Sequence, residues 1–312
     1  MTALIGLGAG CASNGDHRRV DADWPEAVSL EGELLYQPEM EASRREAYLV
    51  RLDEAQRRYN ADRTSVERIV WYGRRLAYLG RYREAINVFS AGLAIHPDSA
   101  ELLRHRGHRY ITVRRFDEAI ADLSRAARLI QGTEDVIEPD GIPNARNMPR
   151  STLHTNIYYH LALAHYLKAE WEPAATAWRA CLDASANDDM RIASIYWLQL
   201  TRRRMGDNAA ADALLSVVSD RMDIIENETY LRLCLLFKTG RLPGQEAESN
   251  LGAGIDNATE AYGAGMFRLL RGEREAAIDM FERALDSGAW AAFGAIAAEA
   301  ELVRLRGVMY RR

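Results

Sequence analysis

Lysine is almost missing from this 312-residue chain: Lys168 and Lys238 stand alone, so 38 of the 40 basic residues are arginine. A planar two-pronged fork is therefore available wherever a carboxylate or phosphate is to be held. Arginine is also so frequent that no single one is informative by type alone. Positive charge is not in excess, since the formal net charge is −5 and the isoelectric point is near 5.9. That balance argues against DNA or RNA as the partner. Cysteine occurs three times. Cys181 and Cys234 have neither C-x-x-C spacing nor histidine pairs beside them, which reads as buried free thiols rather than a zinc site. No run approaches the roughly 20 apolar residues of a membrane-spanning helix. A nucleophile elbow, an H-E-x-x-H pair and a phosphate-cradling glycine loop are all missing. "GLGAG" has glycines but no strand–helix unit after it, so no cofactor and no metal are expected.

Strand signals are nearly absent too, and the patterning that remains is helical. Its organising feature is self-similarity. Gly73, Tyr82, Ala85, Phe89 and Pro97 recur 34 residues later as Gly107, Phe116, Ala119, Leu123 and Gln131, four of the five pairs keeping their chemical type. The spacing has a physical reading. Gly73 and Gly107 let a second helix approach the first, Ala85 and Ala119 do so from the other side, and Phe89 fills the wedge between units. Pro97 stops the second helix, lacking an amide hydrogen and clashing with a further turn.

These residues resemble the tetratricopeptide repeat family, whose unit is a pair of antiparallel helices. "WYGRRLAYLGRYREAINVFSAGLAIHP" carries its small glycine, G-x-Y turn, alanine, aromatic and closing proline. Later units fit through Trp171, Ala174, Trp178 and Leu182, with Ala162 in place of the glycine. Gly206, Ala211 and Leu215 follow, and then Gly265, Gly272, Ala277, Phe281 and Ala284. A degenerate pair is expected near 223–250, and "AWAAFGAIAAEAELVRL" reads as a capping helix. The resemblance implies an all-α, right-handed superhelical solenoid with a concave groove, each unit stabilised by its neighbours. The expected layout is residues 1–19 as a lipoprotein-signal remnant and linker, 20–63 as an extension with a packing helix, and 64–312 as the solenoid.

In this family the first helix of each pair faces the concave side. Carried over position by position, the lining is Glu67, Val70, Trp71, Arg74 and Tyr78; then Arg104, His105, His108 and Thr112; then Asn156, Tyr159, His160 and Tyr166; then Tyr196, Trp197, Arg203 and Arg204. The expected ligand-binding set is Trp71, Arg74, Arg104, His105, His108, Tyr159, His160, Tyr196 and Trp197. Guanidinium, imidazole and ring together suit a protein or peptide presenting carboxylates. Within "LLRHRGHRYITVRR", Arg109 should point away from the groove. Arg106 falls where the family buries a leucine, and a half-buried guanidinium needs a partner.

The period breaks after the second unit, where an insertion spans 131–153. Three prolines and two glycines in "QGTEDVIEPDGIPNARNMPRST" forbid a long helix, and its first half is acidic. The expectation is a lid folding over the groove, with Glu138 or Asp140 paired to Arg104 or Arg106; a solvated surface insertion is the alternative. The same residues permit an enzyme reading, with His108 as base, Glu138 or Asp140 as acid and Arg104 as anion holder. A binding scaffold is the leading reading.

The first residues, "MTALIGLGAGCAS", run apolar, then small, then reach Cys11. This is similar to the tail of a bacterial lipoprotein signal, and it implies lipidation at Cys11 and a place on the periplasmic face of a bacterial membrane. The lipid would be the chain's one link to that membrane. A cytoplasmic chain with a frayed N-terminus is the alternative. The whole arrangement resembles envelope tetratricopeptide lipoproteins that act as adaptors.

Overall fold

The computed structural model describes residues 24–241 and 257–307; Cys11 lies outside them. A short antiparallel hairpin, β1 (Ala27–Val28) and β2 (Leu34–Leu35), pairs Ala27 with Leu35 and Val28 with Leu34. After it comes α1 (Ala42–Ala61), then the helix pairs α2/α3 (Val66–Tyr78, Tyr82–Ile95), α4/α5 (Ala100–Thr112, Phe116–Leu129) and α6/α7 (Leu153–Leu167, Trp171–Ala184). Next are α8/α9 (Asp188–Arg204, Asn208–Ser216), α10 (Glu228–Thr239), α11/α12 (Ala258–Leu270, Arg274–Asp286) and α13 (Phe293–Arg306). The second half of the degenerate pair expected near 223–250 falls outside the described residues. Each helix packs on the next along the chain, so the core is a continuous seam.

Local chemistry explains where the helices begin and end. The first helix of a pair starts behind a short polar side chain that accepts a free backbone amide: Ser65, Ser99, Thr152, Asn187 and Asn257 do this for α2, α4, α6, α8 and α11. These helices end in one repeated turn. Arg81, Arg115, Glu170, Asp207 and Glu273 each donate their amide to the carbonyl five residues back, as in Arg115 N to Tyr110 O at 2.8 Å. The residue before each has positive φ. It is Gly80, Gly206 or Gly272 in three turns, but Arg114 (φ 63°) and Ala169 (φ 60°) in the other two.

Close approach within a pair depends on the missing side chain of one glycine. A Cβ on Gly107 would lie 2.6 Å from Leu123 Cγ, and one on Gly73 would collide with the Phe89 ring. Where α6 to α8 and α10 to α11 meet, the core is aromatic. Trp178 and Trp197 stack with centroids 5.9 Å apart, and Trp197 Nε1 donates to the Tyr159 hydroxyl at 2.9 Å. Tyr159 and Tyr230 hydroxyls pair at 2.9 Å, and Tyr166 and Tyr262 hydroxyls at 2.6 Å. The hydroxyls of Tyr159, Tyr166, Tyr230 and Tyr262 and the indole N–H of Trp197 are thus paired, as burial favours, while Trp178 Nε1 and the Tyr196 hydroxyl are buried without a hydrogen bond.

The last helix does more than cap. From its place against α11 and α12, α13 also reaches α6 and the N-terminal half of the chain. Glu299 pairs with Arg114 at 2.6 Å and accepts the Leu30 amide. Glu301 pairs with Arg204 at 2.9 Å and Arg304 at 2.7 Å, and Arg304 donates to the Leu167 carbonyl. Just before α13, Trp290 Nε1 donates to Tyr36 O at 2.9 Å and meets the Tyr82 ring edge-on. The solenoid is closed by its own C-terminal helix.

Candidate functional site

Helix α4 presents Arg104, His105 and His108 toward α6, and the α5–α6 insertion comes down onto them. Arg104 Nη1 donates to His105 Nδ1 at 2.8 Å, leaving the proton of that imidazole on Nε2. The Glu138 carboxylate then closes the group: Oε2 lies 2.8 Å from Arg104 Nη2, and Oε1 lies 3.7 Å from His105 Nε2. Asn156 of α6 donates to the same carboxylate. Phe89 stacks beneath His105 with centroids 5.6 Å apart. Arg104 Nε is buried without a hydrogen bond, so one face of this guanidinium is unmatched.

The insertion is held along its length. Glu138 N donates to Ser151 O at 3.1 Å, beside a bridge between Ile137 and Thr152. Arg74 Nη2 donates to Pro139 O and Arg75 Nη1 to Gly141 O, both at 2.9 Å. Gly141 sits so close to Tyr78 that a Cβ would overlap its hydroxyl. Farther on, Arg146 reaches Asp223 at 2.9 Å and Arg150 reaches Asp189 at 2.9 Å. Asp189 is fully buried and also accepts the amides of Ile225, Glu226 and Asn227. It ties the insertion to the α9–α10 connection.

A second group lies one turn along α4. His108 and His160 rings are 4.1 Å apart, and Phe293 at the start of α13 packs on both, at 5.2 and 5.6 Å, and on Tyr159 at 6.0 Å. His160 Nδ1 donates to the Asn156 carbonyl at 2.5 Å. Burial holds His105, His108 and His160 well below the ordinary histidine range, with the positive charges of Arg104 and Arg109 adding to it. Burial likewise lowers Arg109 to about 10; the guanidinium lies 5.5 Å over the Tyr82 ring. All three imidazoles are neutral near pH 7.

Several expectations are corrected by these positions. Tyr196 and Trp197 do not line an accessible wall: both are 0% exposed, inside the aromatic core. Arg104, His105, Tyr159 and His160 lie where α4 faces α6, and they are buried beneath Glu138 and Phe293 rather than open. Trp71 and Arg74 are half-buried, the guanidinium 4.5 Å over the indole, and Trp71 faces a cleft toward α1. Arg106 finds its partner on α5, where Asp122 accepts two hydrogen bonds at 2.7 Å, and not in the insertion. Asp140 has one buried oxygen without a hydrogen bond, and burial raises its pKa. His108 makes no hydrogen bond to Glu138 or Asp140 among the described residues, so the acid–base pair of the enzyme reading is not assembled.

Phe293, Arg114 and Glu299 were not singled out from the sequence. Only Arg114 had a local signal, since it occupies the turn position that Gly80 fills 34 residues earlier. Among the described residues no three His, Cys, Asp or Glu side chains form a metal-holding group, and no helix is long and apolar enough to cross a membrane. Cys181 and Cys234 are buried free thiols.

No family model matches the chain, and no curated protein does. Among solved structures it is similar to a tetratricopeptide repeat protein from Parabacteroides merdae, with TM-score 0.47 and 15% identity over 80% of this chain and 90% of that one. YrrB, described as a TPR protein with an unusual peptide-binding site, aligns with TM-score 0.43 and 13% identity over 76% and 93%. MamA aligns with TM-score 0.38 and 17% identity over 69% and 93%. The chain's own helix pairs and repeated turns define the architecture: an all-α, tetratricopeptide-like solenoid.

Proposed function

We propose that the chain is an interaction scaffold whose inner wall receives an acidic segment of a protein or peptide. The observation that supports this is the seat of Glu138. A carboxylate from the chain's own insertion rests on Arg104, His105 and Asn156, the donors a partner's carboxylate would use. The insertion is then an internal competitor. A partner gains access by displacing Glu138 while Arg74 and Arg75 release the carbonyls of Pro139 and Gly141. Tyr196 and Trp197 have no part in recognition, and Phe293 forms the apolar flank beside His108 and His160.

A fluorescent peptide rich in glutamate, with a free terminal carboxylate, tests this by anisotropy. Glu138→Gln should raise its affinity by removing the competing charge, and adding Arg104→Gln should abolish the gain. Equal affinity for wild type, the single variant and the double variant would overturn the reading.

The sequence around Cys11 supports a further part of the proposal, a lipid tether on the periplasmic face of a bacterial membrane. Labelled palmitate should enter the protein expressed in a bacterial host and fail to enter Cys11→Ser. Label in neither sinks the tether.

A further inference from the structure

The cleft between α1 and α2 encloses a cavity of about 320 Å³ with a regular lining. Arg51, Glu54 and Arg58 face it from α1; Arg68, Trp71 and Arg75 face it from α2. The spacing is the same on both walls: an arginine, a different residue three positions on, and a second arginine four beyond that. Positions so related share one helix face, so two pairs of guanidiniums, each two turns apart, oppose one another across the gap. Glu54 lies between one pair and the Trp71 indole between the other.

Four cations thus meet one carboxylate inside the cleft. Arg51 makes no hydrogen bond or ion pair among the described residues. Arg58 has Glu67 at 3.5 Å on the outer rim, and Arg68 gives one N–H to the Arg58 carbonyl at 3.3 Å. Arg75 lies 4.8 Å over Trp71. Burial, and then the nearby Arg51 and Arg74, lower its proton affinity. Like charges gathered around a low-dielectric ring repel one another unless an anion joins them. Each guanidinium carries five N–H donors in a rigid fork, more than two carboxylate oxygens can occupy, whereas a phosphoryl group offers three terminal oxygens and nearly two negative charges. The cavity is at the lower end of the roughly 300–1,000 Å³ range of ligand sites, which suits a compact group.

We propose that the α1–α2 cleft binds a phosphomonoester, held by Arg51 and Arg58 from one side and Arg68 and Arg75 from the other. The site shares Arg75 with the anchors of the insertion. Arg51, Arg58 and Arg68 make no hydrogen bond or ion pair with the insertion among the described residues, and the proposal stands whether or not the inner wall takes an acidic peptide. The ester belongs to a small molecule or to a phosphorylated side chain, and the recognition chemistry is the same.

Calorimetric titration of the full chain at low salt and pH 8 tests it. The probes are inorganic phosphate, phenyl phosphate, and a phosphoserine peptide beside its unphosphorylated twin, with succinate as the dicarboxylate control. Phosphate-bearing probes should bind in a 1:1 ratio, and Arg51→Ala with Arg58→Ala should weaken them by about tenfold or more. Both arginines are exposed, so circular dichroism should not change; Arg75 is spared because it holds Gly141. Glu54→Gln should tighten binding. Phenyl phosphate binding as well as the phosphopeptide assigns a small ester; a preference for the phosphopeptide assigns a modified partner. No saturable binding, succinate binding as tightly as phosphate, or affinity unchanged in the double variant would overturn the proposal.

Discussion

Arg114 and Glu299, 185 residues apart, form an ion pair of 2.6 Å in which neither side chain is more than 4% exposed. Arg114 makes this contact from a left-handed backbone (φ 63°), at the turn position where Gly80, Gly206 and Gly272 stand elsewhere. A non-glycine residue there costs about 1–2 kcal/mol. The guanidinium also donates to the carbonyls of Thr112 (2.6 Å) and Trp290 (2.9 Å) and lies over the Trp290 ring. The strain is offset by fastening the second helix pair to the last helix.

Arg114→Gly therefore separates the two effects. It relieves the turn but leaves Glu299 buried without its cation, and removing one partner of such a pair costs about 3–5 kcal/mol. Denaturant unfolding should show a net loss of about 2–3 kcal/mol, the backbone relief subtracting from the lost pair. Arg114→Ala should lose more, because it keeps the strain. Arg114→Gly combined with Glu299→Gln should recover part of the deficit; a double variant weaker than the single one would show that Glu299 is not held by this cation.

Acid should weaken the fold near pH 6. His105, His108 and His160 have folded pKa values well below the histidine range because burial disfavours the charged ring. The unfolded chain takes up these protons as pH falls through about 6.5 while the folded one does not. Stability is thus complete above that pH and falls below it, by up to about 1.4 kcal/mol per pH unit for each histidine. His160→Asn should show a shallower slope between pH 6.5 and 5 in urea titrations. An unchanged slope would mean that this ring protonates freely in the fold.

Two glycines should respond differently to the same added methyl. In Gly107→Ala the new Cβ meets Leu123 of α5, forcing apart a helix pair at about 1–3 kcal/mol. Gly206 has φ 80° and open space around it, so Gly206→Ala costs only the backbone strain of about 1–2 kcal/mol. Leu123→Ala should partly rescue the first and have no compensating effect on the second, as read from thermal midpoints.

Removing the Glu138 charge should loosen the insertion before it unfolds the solenoid. Glu138→Ala removes the one carboxylate paired with Arg104 among the described residues, a loss of about 2–5 kcal/mol concentrated at this contact. Limited proteolysis should then cut near Asn147 much faster than in wild type, the helical core surviving as fragments. Equal cutting rates would mean that the anchors at Arg146 and Arg150 hold the insertion without Glu138.

Much of the fold was legible along the chain because its cause is local. The 34-residue offset placed the helix pairs, and Gly73 with Phe89 and Gly107 with Leu123 announced contacts between helices adjacent in sequence. The acidic stretch beside a cationic helix suggested that Glu138 or Asp140 meets Arg104 or Arg106, and of these pairs Glu138 with Arg104 forms. The partner of Arg106 was misjudged: Asp122, 16 residues on, looked like an ordinary position of the following helix.

Helix periodicity is set by residues within a few turns of each other, so the sequence alone determined the order of the helices and their pairing, but not which of their faces stay accessible, as Tyr196 and Trp197 show. Whether the inner wall stays open depended on contacts that no repeat encodes: Phe293 on His108 and His160, Glu299 on Arg114, Glu301 on Arg204. Those pairs lie about a hundred residues or more apart in the chain. They form only once the stacked helices bring α13 against α6 and the turn that follows α4. The tertiary structure decided that step, turning an expected open groove into a wall covered by the chain itself.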